Sequence, residues 1–145
     1  LLQDLEDESI LIFTEFAAFA KLIYSILLQK GYSAGCIIGE TANMERAALV
    51  GGFMDGSRKI LVGTSALSVG LNLQKATVVI HADQGFHAAM MDQRVSRAQR
   101  IGQKNNVVVY SLIARGTVDE WMASLVLKKE QEIKLLTKKE LEKVL

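Results

Sequence analysis

Five short, strongly apolar runs, at residues 9–14, 34–38, 59–63, 76–81 and 106–114, restrict the fold of this chain more than any other feature. Each is too short for a buried helix, is rich in Ile, Val and Leu, and has few polar positions to mark a solvent face. Such runs predict strands buried on both faces, as in a parallel sheet. The stretches between them have helical spacing. Residues 16–30 carry Phe16, Phe19, Leu22, Ile23, Ile26 and Leu27 on a stripe at core spacing, and Gly31 ends it. Residues 43–54 form a second helical stretch, with Thr41 or Asn43 as its cap and Gly51 and Gly52 late in it. A third covers residues 87–101. A fourth opens at the capping box Thr117-Val118-Asp119-Glu120 and carries Val118, Met122, Leu125, Val126, Ile133 and Leu136 on one stripe. This alternation predicts an α/β fold: a three-layer domain with a mainly parallel sheet of five to six strands and helices on both faces.

In sheets of this kind, ligands meet the loops at the carboxyl ends of the strands. Thr14-Glu15, Gly39-Glu40-Thr41, residues 64–72 and residues 83–87 are therefore expected along one functional edge. Thr64, Ser65, Gly39 and Thr41 offer hydroxyls and backbone N–H groups suited to phosphate oxygens, and Gly70 and Asn72 allow tight backbone turns. Ordinary turn chemistry accounts for Ser65 and Asn72 equally well. Asp83, at a strand end, suits Mg²⁺, a base, or a hydrogen bond to the loop that follows it. Arg58 and Lys59 read as solvated charges.

The third helical stretch carries the most distinctive string, Gln93-Arg94-Val95-Ser96-Arg97-Ala98-Gln99-Arg100-Ile101-Gly102-Gln103. At about 100° per residue, Gln93, Arg97 and Arg100 share a ~60° arc, opposite Met91, Val95 and Ala98. One face buries; the other holds an amide and guanidiniums whose planar forks match phosphate oxygens. A solvated basic face, or structural salt bridges at Arg97 and Arg100, are the alternatives.

Several chemistries are excluded or left without support. The lone Cys36 rules out an intrachain disulfide and any multi-cysteine zinc site, and reads as a buried strand residue. His81 and His87 lack partners at metal-ligand spacing, so no metal site is expected. Net charge is only +1, so any basic surface must be local. No apolar run approaches the ~20 residues of a membrane span, and the acidic start, residues 1–10, reads as a cut from a longer chain or the tail of a preceding helix. No Gly-x-x-x-x-Gly-Lys-Ser/Thr string and no Asp-Glu pair at a strand end occurs, so the core of nucleotide hydrolysis is missing from these 145 residues.

Gln-x-x-x-Arg-x-x-Arg-Ile-Gly-Gln resembles motif VI of the superfamily 2 helicases in its Swi/Snf form. Residues 10–16 (ILIFTEF) resemble motif IV, and residues 60–73 (ILVGTSALSVGLNL) resemble motif V. Gly39-Glu40-Thr41 with Glu45-Arg46 and Phe53 resembles the family's Gly-Ser-Thr turn and following helix. Residues 76–83 resemble its Asp-ended strand, and residues 107–110 with 116–120 its closing strand and last helix. The likeness covers nearly the whole chain in order. It departs at Leu67-Ser68 and Phe86-His87-Ala88, where the family has paired Gly and Trp-Asn-Pro, and at Arg94 and Gln99.

The resemblance implies one domain over residues 1–145: the C-terminal RecA-like lobe of a Swi/Snf-like, DNA-dependent ATPase or helicase. The N-terminal ATP-binding lobe is absent from the sequence. Arg97 and Arg100 would act as arginine fingers on ATP, with Gln93 orienting the helix or coupling to nucleotide. Gly70 and Asn72 would join Arg97 and Arg100 in contacting the cofactor. Gly39, Thr41, Thr64 and Ser65 would grip DNA. ATP and Mg²⁺ would be held mainly by the missing lobe, so the isolated domain is expected to be inactive. Expected partners are that N-terminal lobe and double-stranded DNA, with no membrane and a monomeric state. The compact sequence, free of insertions and nuclear-type basic tracts, points to a bacterial or phage-infected cytoplasm. A non-catalytic nucleic-acid or protein-binding module and an RNA helicase lobe are the alternatives, and the Ile-Gly-Gln ending favours the Swi/Snf side over RNA.

Overall fold

A computed structural model describes residues 2–67, 71, 73–83, 107–113, 116 and 128. The chain divides into two compact units, Leu1–Leu112 and Ile113–Leu145. In the first unit, β1 (Ile10–Phe13), β2 (Ala34–Ile37), β3 (Ile60–Gly63), β4 (Val78–His81) and β5 (Val108–Ser111) form a five-stranded sheet in the order β2-β3-β1-β4-β5. Every pairing is parallel, so all five carboxyl ends lie on one edge. Each expected strand exists and is shorter than its apolar run by one to five residues.

The α-helices whose bounds fall among the described residues are α1 (Ala17–Gln29) and α2 (Asn43–Asp55). The chain moves one way along the sheet from β1 to β2 and back from β2 to β3. Right-handed crossovers therefore require α1 and α2 on opposite faces. The packing agrees. Ala20 and Leu27 of α1 join Ile10, Ile12, Ile60, Val62, Val78 and Ile80 on one face, while Phe53 of α2 joins Leu11, Phe13, Leu61 and Val79 on the other. Strand positions alternate between these two clusters, as a pleat buried on both sides demands.

Helix ends follow local chemistry. Gly31 takes φ +82°, Gly31 N–H donates to Leu28 O at 3.0 Å and Tyr32 N–H to Leu27 O at 3.0 Å, closing α1 with a Schellman motif. α2 stops at Gly56, also left-handed at φ +90°, where Lys75 Nζ donates to Met54 O at 3.3 Å. The start of α2 differs from expectation. Ala42 is its N-cap and no side chain caps it. Thr41 instead accepts the Ile38 N–H on its hydroxyl at 2.9 Å, a competing local bond that draws it away from the helix.

The stripe of α1 also differs. Ala20 and Leu27 are buried, whereas Phe16 is 63% exposed and Phe19, Leu22 and Ile26 are exposed too. Cys36 lies in β2 and is half-buried, and burial pushes its thiol pKa up. Arg58, expected to be solvated, is half-buried: its Nη1 donates to Ala34 O, and its stem lies 3.0 Å from where a Cβ on Gly35 would sit. Among the described residues, no helix is long and apolar enough to cross a membrane. The helical stretch expected at residues 87–101 lies outside the described residues, as does the one expected at 117–136 apart from the helical Lys128.

Candidate functional site

Four of the five strand exits on the carboxyl edge of the sheet, those of β1 to β4, carry the candidate residues. β3 ends at Gly63, a position where nothing larger fits. A Cβ there would lie 2.2 Å from Ile37 O and 3.0 Å from Leu67 Cβ. Close approach of β2 lets Thr64 N–H donate to Ile37 O at 3.3 Å. Ser65–Leu67 then forms a 3-10 turn, closed by Leu67 N–H on Thr64 O at 2.9 Å and anchored by the fully buried Leu67. Thr64 is thereby half-exposed and Ser65 exposed at the rim.

The β2 exit is a tight turn in which Thr41 N–H donates to Ile38 O at 3.1 Å while the Thr41 hydroxyl oxygen accepts from Ile38 N–H at 2.9 Å. That hydroxyl keeps its own proton to donate outward. Gly39 is exposed at the tip, with no heavy atom within 4 Å of where a Cβ would stand. No fold contact therefore requires glycine at position 39. Lys21 and Glu40 pair at 3.6 Å across solvent, with side chains 61% and 83% exposed, so the pair adds little.

At the β1 and β4 exits, Thr14 is fully buried and donates its hydroxyl to Asp83, and Glu15 N–H donates to both Asp83 oxygens at 3.1 and 3.0 Å. His81 is buried and stacks on Phe13, with ring centroids 5.9 Å apart at 27°. Asp83 thus bonds the exit of β1, a pairing across 68 residues that has no local signature, while the loop expected as its partner lies outside the described residues.

Gly39, Thr41, Thr64 and Ser65 therefore occupy one edge, tied together by the bond from Thr64 to Ile37. The backbone N–H groups of Thr41 and Thr64 are used within the turns, so hydroxyls, not free amides, are what those two residues present. Gln93, Arg97, Arg100, Gly70 and Asn72 lie outside the described residues. Among the described residues, no cluster of three or more His, Cys, Asp or Glu could hold a metal ion. Gly39, Thr41, Thr64 and Ser65 offer neutral hydroxyls and glycine backbone. That set suits a phosphodiester oxygen and lacks both a glycine-rich phosphate loop and carboxylates grouped for Mg²⁺.

A parallel sheet in this order, with hydroxyl-bearing turns collected at its carboxyl edge, is a RecA-like lobe. The helicase conserved C-terminal domain family matches residues 1–102, and the chain belongs to that family, in its Swi/Snf branch. The chain is 36% identical over 124 residues to the rice SNF2 domain-containing protein ENL1, covering 83% of this chain and 13% of that protein. It is 30% identical over 124 residues to an ATP-dependent helicase of Mycoplasma pneumoniae, covering 84% of this chain and 12% of that one. The crystal structure of the C-terminal part of the Fun30 ATPase domain superposes with a TM-score of 0.77 at 28% identity, covering 86% of this chain and 41% of that chain. Plant and bacterial proteins match alike, so the bacterial or phage setting expected from the compact sequence finds no support.

Proposed function

We propose that this domain is the second motor lobe of an ATP-driven DNA translocase of Swi/Snf type. It would be inactive alone and would complete a nucleotide site seated on an N-terminal lobe of the same longer protein. The observation that carries this reading is the common edge. Gly39, Thr41, Thr64 and Ser65 share it, and β4 leaves it towards the segment holding Gln93, Arg97 and Arg100.

Each residue has a distinct task. The Thr41 and Thr64 hydroxyls and Ser65 donate to oxygens of one DNA strand, and Gly39 lets that backbone approach. These contacts hold the strand without reading its bases, and lobe closure shifts the grip by one step. ATP with Mg²⁺, bound mainly by the other lobe, supplies the phosphoryl group and the metal charge. Arg97 and Arg100 neutralise charge that develops on the transferred phosphoryl oxygens, a task that suits a permanently charged planar fork. Gln93 orients the arginine-bearing face. Gly70 and Asn72 shape the loop facing the nucleotide. The duplex is the track, and a single copy suffices.

The test is ATP hydrolysis by the full-length protein with and without duplex DNA. Thr41→Val with Thr64→Val should weaken DNA binding alike on unrelated sequences and raise the DNA concentration that gives half-maximal ATPase. Hydrolysis indifferent to duplex DNA would overturn the proposal. Stimulation by RNA alone would assign the lobe to an RNA helicase.

A further inference from the structure

Asp83 stands at the exit of β4, yet its carboxylate is committed to the exit of β1. It accepts from Glu15 N–H at 3.0 and 3.1 Å and from the Thr14 hydroxyl. Thr14 is fully buried, its Oγ1 accepts from Phe16 N–H at 3.2 Å, and its N–H donates to Gly63 O at 3.0 Å. Ala82 N–H completes the set by donating to Phe13 O at 2.8 Å. The ends of β3, β1 and β4 are thus pinned together just past the last ladder pair. Among the described residues, both groups that bond Asp83, the Thr14 hydroxyl and the Glu15 N–H, are donors. A carboxylate accepts on both oxygens, whereas a carboxamide of the same shape turns one of them into a donor.

We propose that Asp83 is a positioning residue that fixes to the β1 exit the point from which the chain departs towards Gln93, Arg97 and Arg100. The inference rests on the motor-lobe reading above. Residues 84–92 alone separate Asp83 from Gln93, so a displaced β4 exit displaces the origin of the arginine-bearing segment. Misplacement of a catalytic group by about 1 Å can cost about a hundredfold in rate. Thr14 and Asp83 therefore act as one unit in turnover while touching neither nucleotide nor DNA.

The experiment is steady-state DNA-stimulated ATP hydrolysis by the full-length protein carrying Asp83→Asn, Thr14→Val or both, with Arg100→Ala as reference. The rate is expressed per folded, DNA-binding molecule. Each single variant should lower kcat about tenfold or more, and the double variant should be no worse than the poorer single, as for partners in one interaction. The KM for ATP and the affinity for DNA should stay within about twofold, because the residue does not contact either ligand. Thr14→Ser, which keeps the hydroxyl, should recover most of the rate. Should Asp83→Asn fail to fold, Thr14→Val, nearly the same shape as the native residue, carries the test. Wild-type kcat in the Asp83 and Thr14 variants beside an inactive Arg100→Ala would overturn the positioning role and leave the motor reading standing, as would additive losses in the double variant. Full activity of Arg100→Ala would overturn the motor reading, and this inference with it.

Discussion

Gly63→Ala is the sharpest perturbation of the proposed edge. The added Cβ would lie 2.2 Å from Ile37 O, 3.3 Å from Ile37 C and 3.0 Å from Leu67 Cβ. An ordinary C···O contact is about 3.3 Å, so β2 and β3 must separate by roughly 1 Å. Neither neighbour can yield cheaply. One is strand backbone, and the other belongs to a fully buried Leu67. Overpacking of this kind costs about 1–3 kcal/mol. The Thr64 N–H bond to Ile37 O, already 3.3 Å long, would be lost for about 1 kcal/mol more. The sum is about 2–4 kcal/mol. With a urea dependence of about 2 kcal/mol per molar, the unfolding midpoint should fall by about 1–2 M, followed by far-UV circular dichroism. Gly39→Ala, with open space around its Cβ, is the internal control and should leave the midpoint unchanged. A Gly63→Ala midpoint within about 0.3 M of wild type would refute the close approach of β2 and β3 that sets the Thr64–Ser65 rim.

Gly39→Ala should leave stability within about 0.5 kcal/mol yet weaken duplex binding several-fold in a titration, because the fold does not need glycine there and an approaching phosphate does. Unaltered affinity would remove Gly39 from the proposed grip. Arg58→Met should cost about 1 kcal/mol in chemical unfolding: the bond to Ala34 O is lost, while relief of the buried Nε, which has no hydrogen-bond partner, offsets part of that. A neutral or stabilising result would show that the bond contributes nothing net. Cys36 should be alkylated more slowly than a free thiol at about pH 8, since burial raises its pKa and keeps thiolate scarce. The sign follows: stability from the buried neutral thiol is complete below the ordinary thiol pKa and is lost as pH rises through the raised one. Alkylation in the folded chain as fast as in urea would contradict this.

Strand positions were legible because burial on both faces leaves a signature that needs no partner information: Ile10, Leu11, Ile12 and Phe13 are apolar at every step, as are Val78, Val79 and Ile80. The glycine stop at Gly31 was legible too, since Gly31 occupies a left-handed position at the end of α1. What periodicity misses is which flank of an apolar stripe the rest of the chain covers. In α1 that flank falls on Ala20 and Leu27, not on Phe16, Phe19 or Leu22. Thr41 escaped because a hydroxyl can cap a helix or close the turn before it, and both options are three residues or fewer away. Arg58 and Asp83 escaped because their partners, Ala34, Thr14 and Glu15, lie 24 to 69 residues distant. Of the candidate site, Gly39, Thr41, Thr64 and Ser65 come to one edge as the strand order requires.

The most direct measurement is the DNA-stimulated turnover of the full-length protein carrying Arg100→Ala, beside its affinity for duplex DNA. Loss of a finger that neutralises transition-state charge should cut turnover by about 10³-fold or more, with DNA affinity kept. Turnover within about twofold of wild type would contradict the assignment of this lobe as the donor of that charge.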